Sequence, residues 1–350
     1  MEKILTVSIA AYNVQNYIKK TLESLLVGKI DDLEILVEDD GGTDRTINIV
    51  KEYEEKYPNI VKLVHKENGG YGSTINKSIE IASGKYFKQL DGDDWYDSEN
   101  FTEFLNLLRK IDVDAIYTPY KEFYENKEIY KLNDFIDENI YGKLSIEEAI
   151  KQNKNHFNMY TICYRTEILR KNNIKLLEKC FYTDTQYAMY PMPYVNSIYI
   201  FHKPIYVYRL GRAEQSVSVE GHIKHYKDHV KVSKDIIEFY NNTEFNNKYT
   251  QEYMWKYMVE HIANTISGFY IVLEPSKENL KDILAFEKYI FSKNEILYND
   301  IAKQSKIVKI LRTTKYNYIV YKILSRYRIN KLNNLHQQNQ NSLLKNQLKQ

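Results

Sequence analysis

Cysteine and long apolar runs are scarce in this sequence of 350 residues. Cys163 and Cys180 are the only cysteines, and two thiols exclude a disulfide framework and a cysteine-based zinc site. No stretch approaches the roughly 20 apolar residues that a membrane-spanning helix needs, and Asn13 and Gln15 interrupt the apolar N-terminus too early for a signal peptide. These absences predict a protein of a reducing compartment, the cytoplasm.

The net charge of the chain is small, but the charged residues are unevenly distributed. The 49 Lys and Arg residues nearly balance the 47 Asp and Glu residues, which leaves a formal net charge of +2 and argues against nucleic acid as a partner. Residues 301–350 contain eleven Lys and Arg and no Asp or Glu. We therefore expect this end of the chain to contact something anionic.

The basic end includes an amphipathic stretch, 301–328, in which Ile and Leu are interspersed with Lys and Arg. Two interpretations remain open. The stretch could lie on an anionic bilayer as a peripheral membrane contact, or it could pack as a helix on the body of the protein or on a second copy of the chain. Residues 331–350 are rich in Asn and Gln, which predicts a mobile tail.

The first 120 residues alternate between strand and helix patterns. Short apolar runs predict strands at 4–10, 33–38, 60–65, 85–90 and 113–119. Helical spacing predicts helices at 14–26, 46–57, 73–82 and 98–110, with Asn13 as the N-cap of the first. The alternation predicts βαβ units, and hence an α/β fold with a mostly parallel sheet flanked by helices.

The pattern changes after residue 120. Strand patterns recur at 159–165 and 197–210, and helical patterns follow at 222–241, 250–270 and 277–293. We therefore expect a mixed region up to about residue 220 and a helical C-terminal region from 221 to 330.

Polar residues cluster where the predicted strands end. In chain order they are Tyr12, Asp39 and Asp40, Asn68 and Gly69, and finally Asp91, Asp93 and Asp94. Open α/β sheets bind ligands at the carboxyl ends of their strands. Three carboxylates within four positions suit a hard cation, Mg²⁺ or Mn²⁺, that is shared with a diphosphate. A solvated Asp-Gly turn explains this short motif equally well when it is taken alone.

Four segments together resemble a known family. They are "VSIAAYN" (7–13), "VEDDGGTDRT" (37–46), the long run from "NGGYG" to "DGDDW" (68–95), and "FYTDTQYAMY" (181–190). Their order and spacing resemble family-2 glycosyltransferases with the A-type, Rossmann-like nucleotide-sugar fold, strongly over 3–120 and more loosely to 220. The resemblance implies a nucleotide-sugar-binding catalytic domain at 1–220, whose part from about 120 receives the acceptor.

The resemblance also implies roles for individual residues. Asp39 or Asp40 would contact the nucleoside. Asp91 would lie near the ribose and the metal, and Asp93 would bind the metal on the diphosphate. Asp184 matches the general base of inverting members, whereas its residue pattern alone favours a helix cap or an exposed turn. The other residues expected to bind the nucleotide are Tyr12, Asn68, Gly69 and Asn76.

Further contacts to the diphosphate or the acceptor are expected from Asp94, Arg209, Arg212 and His222. Arginine near a diphosphate would stabilise the charge that grows there, although a strand end followed by a surface loop is the plainer interpretation of 208–218. His222 shares one helix face with two other histidines, His225 and His229. Such a face could bind a metal, but more often it is simply polar.

These observations together predict a cytoplasmic, metal-dependent inverting glycosyltransferase of the hexosyl or N-acetylhexosaminyl class, with Mn²⁺ or Mg²⁺ as cofactor. It would move a sugar from a nucleotide donor, a UDP-sugar first of all, to a hydroxyl of a cell-surface polysaccharide, teichoic acid or lipid-linked glycan. Two alternatives stay open. One is an inactive scaffold that binds nucleotide or glycan. The other is a sugar-phosphate nucleotidyltransferase, because the segment "GGYGST" (69–74) superficially resembles the glycine-rich signature of that class.

Overall fold

The computed structural model describes residues 2–211, 219–245 and 247–331. The chain divides into two compact units. The first comprises Met1–Gly211 with Glu244–Gln251, and the second comprises Arg212–Thr243 with Glu252–Gln350. The predicted mobile tail lies outside the described residues except for Lys331.

The strands of the first unit form two sheets. In chain order they are β1 (Lys3–Ala11), β2 (Leu33–Asp39), β3 (Val61–His65), β4 (Gly84–Asp91), β5 (Trp95–Tyr96), β6 (Ala115–Tyr117), β7 (Tyr120–Tyr124), β8 (Ile129–Asn133), β9 (Gly142–Ser145), β10 (Ile162–Arg165), β11 (Ser197–Ile200) and β12 (Tyr206–Leu210). The larger sheet has the order β3-β2-β1-β4-β10-β6-β11-β9, and the smaller has the order β5-β12-β7-β8.

The predicted α/β fold with a mostly parallel sheet is confirmed. Strands β1 to β4 pair in parallel, and nearly every side chain of β2 and β4 is buried. Burial on both faces is typical of a parallel sheet that helices cover on each side. Strands β10 and β9 run antiparallel to their neighbours, so the sheet is mixed beyond β4.

Seven helices among the described residues belong wholly to the first unit. They are α1 (Ile18–Leu25), α2 (Thr46–Lys56), α3 (Tyr71–Ile81), α4 (Ser98–Leu108), α5 (Ile146–Gln152), α6 (Thr166–Lys171) and α7 (Asp184–Met189), with 3₁₀ turns at Glu125–Lys127 and Met192–Tyr194. Helices α2, α3 and α4 agree closely with the predicted ones.

Helix α1 begins later than predicted, because Asn13 is not its N-cap. Asn13 has a positive φ of 52°, and its side-chain oxygen accepts hydrogen bonds from the backbone N–H groups of Thr43 at 2.8 Å and Asp44 at 3.3 Å. Asn13 therefore fastens the loop after β1 to the loop after β2, both at the carboxyl edge of the sheet.

The strand pattern predicted at 197–210 is confirmed at both ends, but it is divided between two strands. The chain forms β11 in the larger sheet and β12 in the smaller one, and the segment between them contains Pro204. Proline has no backbone N–H to donate to a strand ladder, so it is found where strands end. The break brings Tyr206 and Arg209 on β12 close to the end of β4.

The chain after residue 219 is helical, as predicted. Its helices are α8 (Val219–Asn242), α9 (Lys248–Asn264), α10 (Lys277–Lys293), α11 (Glu295–Gln304) and α12 (Lys306–Thr313), and a last helix spans 318–331. The helix predicted at 250–270 changes at Thr265–Phe269 into a π-helical turn, followed by a 3₁₀ turn at Tyr270–Val272. Over the described ranges, no helix combines the length and the apolarity that crossing a membrane would require.

Candidate active site

The polar strand ends meet at one edge of the larger sheet. In the register of the parallel strands, Ala10 of β1 lies opposite Asp91 of β4, and Ala11 lies opposite Asp39 of β2. Asp39 and Asp91 therefore lie on either side of β1, at the same end of the sheet. The edge that the sequence predicts as a ligand site is therefore one continuous surface in this fold.

Asp39 is fully buried at the end of β2. One oxygen, Oδ2, accepts a hydrogen bond from the N–H of Gly42 at 3.2 Å and lies 2.8 Å from Nδ1 of His65. The other oxygen, Oδ1, is buried and has no hydrogen-bond partner among the described residues. Buried oxygens of this kind are rare without a partner, so Oδ1 is an acceptor that a bound group could use.

Asp40 has a different role from its neighbour. Its carboxylate pairs with Lys66 and accepts hydrogen bonds at 2.9 Å from the N–H groups of Gly69 and Gly70. Asn68 donates from its amide to the Asp40 carbonyl oxygen at 2.9 Å. Three of the expected nucleotide-binding residues, Asp40, Asn68 and Gly69, therefore hold the loop after β3 in place. Tyr12, a fourth, is 54% exposed beside β1.

The glycine-rich segment at 69–72 packs closely against the backbone of residues 177–179. The N–H of Lys179 donates to the Gly69 carbonyl oxygen at 2.5 Å. A Cβ on Gly70 would lie 3.0 Å from the backbone of Lys179, and a Cβ on Gly72 would lie 2.0 Å from the carbonyl oxygen of Leu177. These glycines make room for the segment that leads to Asp184. Their role here is close packing of the backbone and not phosphate binding.

Asn76 fixes the same segment. Its side-chain oxygen accepts a hydrogen bond from the N–H of Leu176 and its side-chain nitrogen donates to the Leu176 carbonyl oxygen, both at 2.9 Å. The nitrogen also lies 3.1 Å from a carboxylate oxygen of Glu178. Asn76 is therefore occupied within the protein, and we withdraw it from the nucleotide-binding set.

The substitution Gly72→Ala should strongly destabilise the first unit, because the new methyl group would overlap a backbone oxygen that no rotamer change can move. We expect a loss of about 3 kcal/mol, the upper end for overpacking, measured as a lower midpoint of thermal unfolding. Gly142→Ala is the control, since nothing lies within 4 Å of a Cβ there and only its positive φ of 93° is strained. Equal stability of Gly72→Ala and the unmodified protein would contradict this packing.

Three carboxylates gather just beyond β4. One ligand oxygen from each of Asp91, Asp93 and Asp94 lies within 4.8 Å of the other two. Burial, and next the charge of Asp93, raise the pKa of Asp91 to about 7, while Asp91 accepts a hydrogen bond from the Tyr71 hydroxyl at 2.8 Å. Clustered oxygen donors that repel one another fit a hard divalent cation.

Asp94 is a structural member of this cluster. Its Oδ2 accepts a hydrogen bond from the Tyr206 hydroxyl and its Oδ1 accepts one from the Arg209 N–H, both at 2.7 Å. Burial, with the charges of Asp93 and Asp91, holds the pKa of Asp94 well above its ordinary value. Asp93 and Asp91 are therefore the better candidates for direct metal ligands.

Arg209 supports the turn that contains Asp93 and Asp94. Its side chain is buried, its Nε donates to the Asp93 carbonyl oxygen at 2.9 Å and its Nη1 donates to Glu125 at 2.5 Å. The guanidinium lies 4.8 Å from the ring centre of Tyr17 and 4.9 Å from that of Trp95. These contacts give Arg209 a positioning role, whereas a diphosphate contact was expected.

The remaining basic candidates lie elsewhere or are not described. Arg212 is outside the described residues. His222 belongs to the C-terminal unit, where its ring stacks on Phe269 with 4.2 Å between centroids. The histidine face predicted as a possible metal site is interrupted by non-helical backbone at His225. Within the described ranges, the aspartates after β4 form the one group of three or more ligating side chains.

Asp184 is the first residue of α7, and Thr183 is the N-cap, so Asp184 does not cap the helix. Its side chain is partly exposed, and burial raises its pKa. Its negative charge contributes to the raised pKa values of Asp91 and Tyr71, which places it within electrostatic range of the aspartate cluster. Gln186, two residues further on, holds the approaching segment by accepting a hydrogen bond from the Leu177 N–H at 2.9 Å.

Sequence reasoning missed several residues of this site. Tyr71 could have been found, because it stands inside the glycine-rich motif. Lys88 is fully buried in β4, where it donates to the carbonyl oxygens of Tyr160 and Ile162 at 3.0 and 3.2 Å, and burial lowers its pKa to about 8. The ring of Tyr160 stacks on Tyr208 at 4.8 Å between centroids. No local sequence signal marks these aromatic contacts.

Comparison with known proteins identifies the class. Residues 6–172 match the family described as Glycosyl transferase family 2. An uncharacterized glycosyltransferase of Mycoplasma pneumoniae, the MG025 homolog, is 30% identical over 221 residues, which are 62% of this chain and 71% of that protein. The chain belongs to glycosyl transferase family 2 and is an enzyme of the glycosyltransferase class. The resemblance is thereby confirmed, and the nucleotidyltransferase alternative falls.

Solved structures agree on the fold. TarS 1–349 of S. aureus in complex with UDP-GlcNAc has a TM-score of 0.69 at 18% identity, covering 93% of this chain and 92% of that one. The mannosyltransferase PcManGT of Pyrobaculum calidifontis, in complex with GDP-Man and Mn²⁺, has a TM-score of 0.50 at 12% identity, covering 94% and 86%. The likeness to TarS confirms the A-type glycosyltransferase fold.

Proposed function

We propose that this enzyme is a metal-dependent inverting glycosyltransferase that transfers a hexosyl or N-acetylhexosaminyl group from a UDP-sugar to a hydroxyl group. The observation that carries the proposal is the cluster of three carboxylates just beyond β4, with a fourth carboxylate within electrostatic range. Asp91, Asp93 and Asp94 lie together, and the charge of Asp184 acts on Asp91 from the start of α7. Two separated carboxylate functions are the minimum that the reaction requires, one for the leaving group and one for the acceptor.

The donor nucleotide would bind along the ends of β1, β2 and β4. We assign the nucleoside to Asp39, whose unpartnered Oδ1 can accept a hydrogen bond from a uracil N–H. The ribose would lie near Asp91 on β4, which is on the other side of β1 from Asp39. The complex of the structurally similar TarS with UDP-GlcNAc supports a UDP donor.

The cation would be Mn²⁺ or Mg²⁺, held by Asp93 together with Asp91. When bound, such an ion offsets the negative charge that grows on the departing diphosphate. Asp94 and Arg209 keep the ligand turn in position through the hydrogen bonds given above. The Mn²⁺ in the PcManGT complex supports a metal-dependent site in this fold.

Asp184 would act as the general base. An acceptor hydroxyl that attacks the anomeric carbon from the face opposite the leaving group must lose its proton as the bond forms, and a positioned carboxylate can take it. Because burial raises the pKa of Asp184, it is a stronger base than an exposed aspartate. Attack and departure on opposite faces invert the anomeric configuration.

The acceptor would be a glycan, as a cell-surface polysaccharide, a teichoic acid or a lipid-linked sugar. Burial raises the pKa values of the stacked Tyr160 and Tyr208, and the charges of Asp91 and Asp94 add to the effect, which places both rings near the aspartates. Flat aromatic surface suits a sugar ring. We further propose that the enzyme works in the cytoplasm. Its two cysteines are buried and form no disulfide, as expected of a reducing compartment.

The proposal is tested by incubating the protein with UDP-glucose, UDP-GlcNAc and GDP-mannose in turn, with Mn²⁺, and measuring release of the nucleoside diphosphate. We expect one UDP-sugar to be consumed and EDTA to stop the reaction. Consumption of GDP-mannose alone would keep the class and change the donor. Turnover that persists unchanged in EDTA would overturn the metal assignment.

A further inference from the structure

The helix at 318–331 presents an apolar face to solvent. Ile319, Ile323 and Tyr327 are 67%, 60% and 58% exposed. They are spaced at i, i+4 and i+8, so they lie above one another on one side of the helix. The other side is packed within the C-terminal unit, where Tyr321 is fully buried. The helix is therefore anchored on one face and has an exposed apolar stripe on the opposite face.

Basic residues accompany the stripe. Lys322 and Arg326 are exposed on the same arc of the helix as the three apolar side chains, and neither forms an ion pair in the described part of the chain. The preceding helix, α12, shows the same combination, with Ile310 40% exposed beside the exposed Lys306 and Lys309. The chain from residue 301 onward contains no acidic residue that could neutralise them.

We propose that this face, formed by Ile319, Lys322, Ile323, Arg326 and Tyr327 and called here the basic apolar face, docks on the surface of an anionic lipid bilayer. A bilayer matches both parts of the pattern. Anionic headgroups attract the Lys and Arg side chains, and the Ile and Tyr side chains enter the boundary between headgroups and acyl chains.

Other occupants match only half of the pattern. A second copy of the chain that docked through the same face could cover the apolar side chains, but it would bring two positive faces together with no acidic residue of that face to pair them. A nucleic acid could neutralise Lys322 and Arg326, but it would leave the two isoleucines exposed to water. The bilayer is also where a lipid-linked acceptor would be found, although the inference does not depend on the proposed function.

The test uses the full chain and vesicles of phosphatidylcholine, with or without phosphatidylglycerol, in a sedimentation assay. We expect binding to the anionic vesicles that weakens with added salt, and little binding to phosphatidylcholine alone. The double variant Ile319→Ser/Ile323→Ser should bind about tenfold more weakly. Lys322→Gln/Arg326→Gln should also bind about tenfold more weakly, with a smaller salt dependence.

Ile296→Ser is the matched control, because Ile296 is as exposed as Ile319, at 67%, but lies on α11 beside Glu295. It should bind vesicles like the unmodified chain, and all variants should unfold at the same temperature. Equal binding to neutral and anionic vesicles, or unchanged binding of both double variants, would overturn the proposal. Absence of vesicle binding would also overturn it. In that case a dimer that dissociates in the isoleucine variant would indicate a second copy as the occupant, and retention on RNA would indicate a nucleic acid.

Discussion

Asp184→Asn should lower the rate of sugar transfer about a thousandfold, within the range that a positioned general base contributes, while the affinity for the donor stays the same. The amide of Asn is nearly isosteric with the carboxylate but cannot take a proton. The Asp184 carboxylate accepts hydrogen bonds from the backbone N–H groups of Asp184 and Thr185, and because the amide oxygen of Asn can still accept them, the helix should keep its stability. The measurement is the transfer rate at saturating donor beside the donor dissociation constant.

Glu167→Gln provides the control for Asp184→Asn. Glu167 is an exposed carboxylate in the first turn of α6, paired with Lys171 on the surface. Its loss removes one negative charge from a helix start without touching the site, so the transfer rate should not change. If Asp184→Asn kept more than about a tenth of the activity, another group would have to be the base and the assignment would fail.

Asp93→Asn should abolish the metal-dependent part of the activity, with a loss of about a hundredfold or more in transfer at moderate Mn²⁺. The substitution removes a charged ligand and leaves the aspartate turn intact, because Arg209 holds this position through the backbone oxygen of Asp93. The measurement is the transfer rate as a function of Mn²⁺ concentration, where the half-saturating concentration should rise steeply.

Asp94→Asn separates metal binding from support of the turn. Its two oxygens already accept hydrogen bonds from Tyr206 and from the backbone of Arg209, and an amide nitrogen cannot accept one of them. This variant should unfold at a lower temperature yet retain its response to Mn²⁺. The reverse result, a stable Asp94→Asn protein without metal response, would exchange the roles of Asp93 and Asp94.

The sheet edge could be predicted from the sequence because the strands of a parallel sheet are continuous apolar runs separated by helices of similar length. That pattern places Asp39 and Asp91 at the same edge of the sheet without any knowledge of tertiary contacts. The strand at 197–210 was predicted as one element for the same reason. Apolar residues recur on both sides of Pro204, and the local pattern does not reveal that β11 and β12 enter different sheets.

The division of labour within the site could not be predicted. Asp39 and Asp40 are adjacent and chemically identical, yet the first keeps a buried oxygen without a partner while the second binds Lys66 and two backbone N–H groups. Successive side chains leave a strand in opposite directions, and which of them meets the loop after β3 depends on contacts distant in sequence. Asn76 is occupied in the same way, by a segment a hundred residues further along the chain.

The most direct test of the central claim is the thermal unfolding midpoint of the unmodified protein with UDP, measured with and without Mn²⁺. A ligand that binds only the native state raises the midpoint. If Asp91 and Asp93 hold a cation that in turn holds the diphosphate, UDP should stabilise the protein with Mn²⁺ and much less without it. Equal stabilisation with and without the metal, or none in either case, would contradict the assignment of these carboxylates to the donor site.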